Sequence, residues 1–240
     1  MKFYDELSKY YKYIFPMSEV TLNFLKDNID KNKKVLDIAC GSGEYTIGLS
    51  KYGYNVKGID LDDLMIEKAK EKAIEEGVNV EFKVGNILKL DEVFNESFGG
   101  MFCIGNSLVH LDNIEEIEKA LQLMKDKLED KGILIIQIIN YARILKFDLK
   151  SLQTIKNEEI GIEFIRNYKK KDDKIIFNTI LKINDEESLE NDVELLPITH
   201  IELRPSLEKV GFKNIQFFGG FNKGKFEEDE SIQLIIKCEK

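Results

Sequence analysis

An apolar run, Val35-Leu36-Asp37-Ile38, passes through the small residues Ala39, Gly41 and Gly43 and opens into a helical pattern at Tyr45-Thr46-Ile47-Gly48-Leu49. A buried strand that runs straight into a glycine-rich turn and a helix start builds a ligand site. Glycines let the backbone approach a ligand closely, and the helix start offers N–H groups that no helical carbonyl uses. A second acid, Asp60, ends the run Val56-Lys57-Gly58-Ile59. A carboxylate at the tip of a second strand can accept both hydroxyls of a ribose. An ordinary strand-to-helix turn would explain the first tip alone, but not the acid in the matching place on the second. The two tips together describe a nucleoside-binding α/β domain.

The form of the turn selects among nucleosides. A dinucleotide fold holds its pyrophosphate with G-x-G-x-x-G. Here the spacing is Asp37-x-Ala39-x-Gly41-x-Gly43, acid first, and no third glycine follows at the right distance. This turn resembles the first motif of class I S-adenosylmethionine-dependent methyltransferases, in which alanine often replaces the first glycine. The resemblance covers about residues 30–140 and the C-terminal segment. It implies a doubly wound, seven-stranded, mainly parallel Rossmann-like sheet whose last two strands form an antiparallel edge. It also implies S-adenosyl-L-methionine as cofactor.

Two further segments are similar to glycine and sarcosine N-methyltransferases and related small-molecule enzymes. These are Gly105-Asn106-Ser107-Leu108-Val109-His110-Leu111 after the fourth strand and Asn140-Tyr141-Ala142-Arg143-Ile144-Leu145 after the fifth. By this resemblance Ala39, Gly41 and Gly43 face the methionine and ribose portions of the cofactor, with Asp37 near its ammonium end. Asp60 holds the ribose hydroxyls, Leu61 and Met65 cover the adenine, and Asn86 with Ile87 stands where relatives place an acid for the adenine amino group. Asn106 lies beside the methyl group, Asn140 helps hold the acceptor, and Tyr11 folds over the cofactor from the N-terminal helix. His110 is a candidate polar contact or base. Met65 as core, Tyr11 as one face of an amphipathic helix and His110 as a backbone-bonded structural residue are the plainer alternatives.

Methyl transfer from a sulfonium is an in-line displacement that needs placement and a dry pocket rather than a covalent enzyme group. Relatives often carry Arg-x-Tyr-Pro-Leu-Thr before the penultimate helix, where the arginine can meet an acceptor carboxylate. Here the line is Glu194-Leu195-Leu196-Pro197-Ile198-Thr199. Glycine as acceptor is therefore in doubt, and Glu194, if it faces the pocket, would favour a cationic acceptor such as an amine.

Strands and helices must place these residues. Helical spacing runs from Met1 to about Pro16, with Asp5 as a possible cap, and again from Ser18 to Asn28. Strands are expected at Lys34–Ile38, Asn55–Ile59, Val78–Val84, Met101–Ile104 and Ile133–Ile139. Helices are expected at Asp62–Glu76 and Glu115–Leu128, the latter ended by Asp130-Lys131-Gly132. Such alternation demands a parallel sheet covered on both faces. After Tyr141 the pattern turns antiparallel: Ile160–Tyr168 and Lys174–Ile183 flank Lys171-Asp172-Asp173 as a hairpin, and Val193–Ile198 adds an extended segment. The chain thus divides into a cofactor-binding domain, 1–144 and 201–240, and a β insertion, 145–200, expected to cover the substrate. A helix at Ile201–Val210 and strands at Asn214–Phe218 and Ser231–Cys238 close the domain.

Composition narrows the class. Lys+Arg 35 against Asp+Glu 44 gives a formal charge of −9, which disfavours a broad nucleic-acid surface. The 3 cysteines lack C-x-x-C spacing and read as reduced thiols of a cytoplasmic protein, with no metal site. No signal peptide or membrane span is visible. The reading is a methyltransferase acting on nitrogen or oxygen of a small molecule. A nucleotide-dependent dehydrogenase, a nucleic-acid methyltransferase and a cofactor-binding protein without catalysis are its rivals.

Overall fold

Alternate residues of each apolar run pack to opposite sides, as the two-residue period of a strand requires. Leu36 and Ile38 join one buried cluster and Val35 another; Leu134, Ile136 and Ile138 share the first while Ile135 joins the second. A run buried on both sides needs helices over both faces of its sheet. The computed structural model describes residues 2–184 and 187–240 and has that arrangement.

The chain opens with two helices, α1 (Lys2–Ile14) and α2 (Glu19–Asn28), and then alternates. Strands β1 (Lys34–Ile38), β2 (Asn55–Asp60), β3 (Glu81–Val84), β4 (Phe98–Cys103) and β5 (Leu128–Ile139) are mutually parallel. Between them run α3 (Glu44–Lys51), α4 (Asp63–Glu75), the short α5 (Leu90–Val93) and α6 (Ile114–Lys127). After α7 (Tyr141–Lys146) come β6 (Ser151–Asn157), β7 (Ile162–Lys171), β8 (Lys174–Ile183) and β9 (Glu187–Leu195), then α8 (His200–Val210), β10 (Lys213–Phe218) and β11 (Gln233–Glu239). The large sheet has 7 strands in the order β10-β11-β5-β4-β1-β2-β3, with β11 antiparallel to both of its neighbours. The order reverses direction between β1 and β4, so a crevice opens beyond their carboxyl ends, where open α/β sheets bind ligands.

Local chemistry fixes the helix starts. Ser18 caps α2 by accepting from Thr21 N–H, Asp62 caps α4 by accepting from Leu64 and Met65, and Thr199 with Glu202 forms a capping box on α8. Some expected boundaries move. Asp5 lies inside α1 rather than before it. The helix before β5 stops at Lys127, and Asp130-Lys131-Gly132 falls within the strand, where Lys131 has φ 60° and the pairing shifts register between Phe98 and Gly100. A bulge of this kind lets a turn-like triplet sit inside a long strand. Strand β3 is shorter than its apolar run because Val78 and Val80 pack beside α4 without entering the ladder.

The second sheet is antiparallel with 4 strands in the order β6-β7-β8-β9. The hairpin at Asp172-Asp173 is where the charge pattern puts it, with Asp172 at φ 52°. Strand β6 and helix α7 have no counterpart in the sequence reading, and the third extended segment lies earlier, at Glu187–Leu195. Its outer face carries Ser188, Glu190, Asp192 and Glu194, so the strand reads in sequence as an acidic loop. Phe3, Leu7 and Ile14 of α1 pack on Ile162, Phe164, Leu181 and Ile183 of this sheet, while Tyr168, Ile175 and Leu195 join the main core. The sheet therefore rests on α1 at one end and on the body of the domain at the other. Among the described residues no helix is long and apolar enough to cross a membrane.

Candidate active site

The first turn is built from backbone conformations that side chains resist. Ala39, Gly41 and Gly43 all have positive φ, at 60°, 53° and 78°. Gly43 caps α3, and a Cβ there would lie 2.8 Å from the Phe82 ring. Gly43→Ala therefore combines left-handed strain with a collision in the core, and should destabilise the fold by about 1–3 kcal/mol. Chemical denaturation measures the loss directly.

Both strand-tip acids engage the turn. Asp60 Oδ2 accepts from Gly41 N–H at 2.7 Å and Oδ1 accepts from Asp62 N–H at 3.0 Å. Burial raises the Asp60 pKa, opposed by backbone bonds from Asp62, Gly41 and Leu61. A carboxylate has about four acceptor positions, so capacity remains for a ribose hydroxyl. Asp37 is buried behind the turn at 2% exposure and accepts from Thr46 Oγ1 at 2.6 Å. Burial lifts its pKa to about 8 despite that bond, with Asp60 adding to the rise. An acid so placed stands ready for a positive charge.

Tyr11 reaches the same turn from α1. Its hydroxyl lies 3.8 Å from the position a Gly41 Cβ would take, and its pKa is pushed up to about 12 by burial and then by Asp60, Glu44, Tyr45 and Asp37. The ring contacts Phe15 at 5.1 Å between centroids, and Phe15 meets Phe164 edge-on at 5.7 Å. One aromatic chain thus links the turn, α1 and the antiparallel sheet. At the nucleoside end Leu61 is 70% exposed and Met65 is buried, so the two present a flat open edge and a backing. Asn86 accepts from Leu88 N–H at 2.8 Å and so caps the turn Ile87–Lys89, which leaves its oxygen already engaged; Ile87 is half-buried against the core.

At the tips of β4 and β5, and on β9, the structure adds to three expectations. Asn106, at φ 69°, donates to Tyr141 Oη at 3.0 Å and accepts from Ile139 N–H at 2.9 Å. Its amide ties the two tips together instead of reaching outward. Asn140 is 2% exposed; its Nδ2 donates to the Glu228 and Ser231 carbonyls at 2.7 and 2.8 Å, while its oxygen caps α7. With donor and acceptor both engaged internally, Asn140 holds the β11 approach in place. Glu194 lies on the outer face of β9, paired with Lys171 at 2.5 Å. The strand's two-residue period sends it away from the pocket, so it does not set acceptor polarity.

His110 ends a short helical turn, Leu108–His110, after β4 and keeps substantial exposure. Partial burial lowers its pKa, and among the described residues its ring has no hydrogen-bond partner. A neutral imidazole can accept a proton. Local sequence gives no signal for Gln137, whose side-chain oxygen accepts from Gly105 N–H at 2.7 Å, or for Tyr168, whose phenol pKa rises through burial. The Asn-Tyr pair was visible in sequence; Tyr168 was hidden in an ordinary strand pattern.

Residues 35–132 match the model of a methyltransferase domain. A glycine/sarcosine N-methyltransferase of Aphanothece halophytica is 25% identical over 235 residues, 97% of this chain and 85% of that one. A carboxy-S-adenosyl-L-methionine synthase of Campylobacter hominis is 26% identical over 218 residues, covering 89% of this chain and 84% of the other. The solved structure of an S-adenosylmethionine-dependent methyltransferase from Clostridium acetobutylicum superposes with a TM-score of 0.80 at 16% identity, over 99% of this chain and 97% of that one. The matched segment takes in Asp37 and its turn, Asp60 and the tip of β4, so the likeness falls on residues that build the crevice. Residues 35–132 are thus a methyltransferase domain, and the likenesses together support a class I S-adenosylmethionine-dependent methyltransferase.

Proposed function

We propose that the protein methylates a nitrogen or oxygen of a small molecule enclosed between the strand tips and the antiparallel sheet. The observation that carries this reading is the aromatic link from Gly41 through Tyr11 and Phe15 to Phe164, which ties the insertion to the cofactor turn. It supports reading residues 145–200 as a cover over the crevice, and the similarity to a small-molecule N-methyltransferase supports a small acceptor.

The residues present fit S-adenosylmethionine. The strained turn leaves its backbone open to close approach, Asp60 has acceptor positions to spare for a ribose, and Asp37 offers latent negative charge. Leu61, Met65 and Ile87 would face the adenine, and Tyr11 would close over the methionine portion. When bound, the cofactor supplies a methyl group on a positively charged sulfur. The chain's own contribution is to hold the acceptor in line, exclude water with α1 and the antiparallel sheet, and keep neutral His110 within reach of the acceptor's proton.

Incubation with methyl-labelled S-adenosylmethionine and a broad panel of metabolic amines, amino acids and phenols tests the reading. Label should pass to at least one small molecule. Cofactor binding with no transfer to any of them would favour a protein that binds without catalysis. Glu194→Gln should leave KM for any cationic acceptor within about twofold, because exposed ion pairs contribute little. A larger rise would bring Glu194 back into the site.

A further inference from the structure

The inner face of the antiparallel sheet is apolar at both ends and polar across the middle. Tyr168, Phe177 and Val193 face the main core, and Phe164, Leu181 and Leu189 face α1. Between these patches the register aligns Arg166 on β7, Thr179 on β8 and Asn191 on β9. Polar groups inside an apolar face are costly unless something pairs with them. Thr179 Oγ1 donates to the Asn191 carbonyl at 3.2 Å and is satisfied. Arg166 is not. Its Nη2 donates to the Gln153 carbonyl at 2.5 Å, but its Nε is buried without a hydrogen-bond partner. Among the described residues no carboxylate pairs with it, and Tyr168 is the titratable group that its charge influences.

Two chains of contacts bracket Arg166 along β7. Along β7 on the same face stands Tyr168, which shares a buried cluster with Tyr141, and Tyr141 accepts from Asn106 at the tip of β4. In the other direction stands Phe164, which meets Phe15 and, through it, Tyr11 at the cofactor turn. Arg166 therefore lies between the arm that reaches the tip of β4 and the arm that reaches the tip of β1.

We propose that Arg166 receives a carboxylate carried by the methyl acceptor, and so selects acidic acceptors. This deepens the methyltransferase reading and rests on it. A guanidinium stays charged, and its planar fork matches two carboxylate oxygens. Nε–H together with a neighbouring N–H supplies such a fork. One guanidinium balances one negative charge, so a carboxylate monoanion fits better than a doubly charged phosphate. The expected acceptor polarity is thus opposite to the one Glu194 suggests in sequence.

The test uses pairs of compounds that differ only in carboxylate against carboxamide: glycine and glycinamide, sarcosine and sarcosinamide, β-alanine and β-alaninamide, anthranilate and anthranilamide. Each is titrated by calorimetry into protein saturated with S-adenosylhomocysteine, for wild type, Arg166→Met and Arg166→Lys, and KM is measured for the same pairs. Wild type should prefer the carboxylate in at least one pair. Arg166→Met should cut carboxylate affinity about 10- to 100-fold and close the gap to the amide, as expected for a lost hydrogen-bonded charge partner. Arg166→Lys should restore part of the gap, which a merely structural role for the side chain would not do. Unchanged affinity for S-adenosylhomocysteine shows that each variant is folded. No carboxylate preference in wild type, or a preference that survives in Arg166→Met, overturns the proposal. Failure of wild type to bind S-adenosylhomocysteine would instead overturn the reading on which it rests.

Discussion

Asp60→Ala should weaken S-adenosylmethionine binding by about 1.5–3 kcal/mol, the usual loss for a hydrogen bond to a charged group. That is roughly a 10- to 150-fold rise in Kd by calorimetry. Two causes act together. The variant loses the acceptor for the ribose hydroxyls, and it frees Gly41 and Asp62, whose N–H groups the carboxylate now holds at 2.7 and 3.0 Å. Asp60→Asn should do little better, because its amide hydrogens would face one of those two donors. Nicotinamide dinucleotides should not bind wild type, since the acid-first turn lacks the third glycine of a pyrophosphate cradle. Tight nicotinamide binding, or an Asp60→Ala protein with unaltered affinity, would contradict the assignment of this tip to the ribose.

Cofactor affinity should rise with pH up to about 8 and then level off. Burial raises Asp37 from an ordinary 3.8 to about 8, so the carboxyl is largely protonated at neutral pH. A bound cation favours the ionised form, so binding below about pH 8 should release a proton and strengthen by up to about tenfold per pH unit. Calorimetry in buffers of different ionisation enthalpy measures the proton directly. Folding should show the opposite trend. A carboxyl whose folded pKa lies above its unfolded value contributes its full stability below the unfolded pKa, about 4, and loses it as pH rises toward about 8. Asp37→Asn, which resembles the neutral acid and can still accept from Thr46, should remove that loss. It should stabilise the ligand-free protein at pH 7 by about 1–4 kcal/mol while flattening the pH dependence of binding. A variant that binds with an unchanged pH slope would exclude Asp37 as the titrating group; Asp60 is then the other acid at the turn.

The stabilising and binding roles of Asp37 pull against each other, a conflict common at ligand sites. A residue chosen for stability alone would be apolar here, at 2% exposure in a strand buried on both faces. The same logic applies to Gly43, where close packing against Phe82 and left-handed backbone leave glycine as the one residue that fits.

The sequence by itself determined the large sheet, its first turn and the acid on the second strand. These depend on short-range patterns: apolar runs bounded by turns, caps such as Ser18 and Asp62, and an acid and small residues within a few positions of each other. Such signals survive without knowledge of what packs above them. Tertiary structure alone decided the acceptor side. The Asn140 amide is bonded to carbonyls of residues 228 and 231, far along the chain, which no local pattern around Asn140 reveals. Glu194 looked like a pocket acid until the register of β9 turned it outward. Arg166 gave no local signal at all, because its position depends on the pairing of Arg166 with Thr179 and of Thr179 with Asn191 across three strands. Side chains in a β sheet change faces with each step in register, and register is set by long-range pairing. The cofactor side of this protein is written in contiguous sequence, whereas the acceptor side is assembled from distant strands.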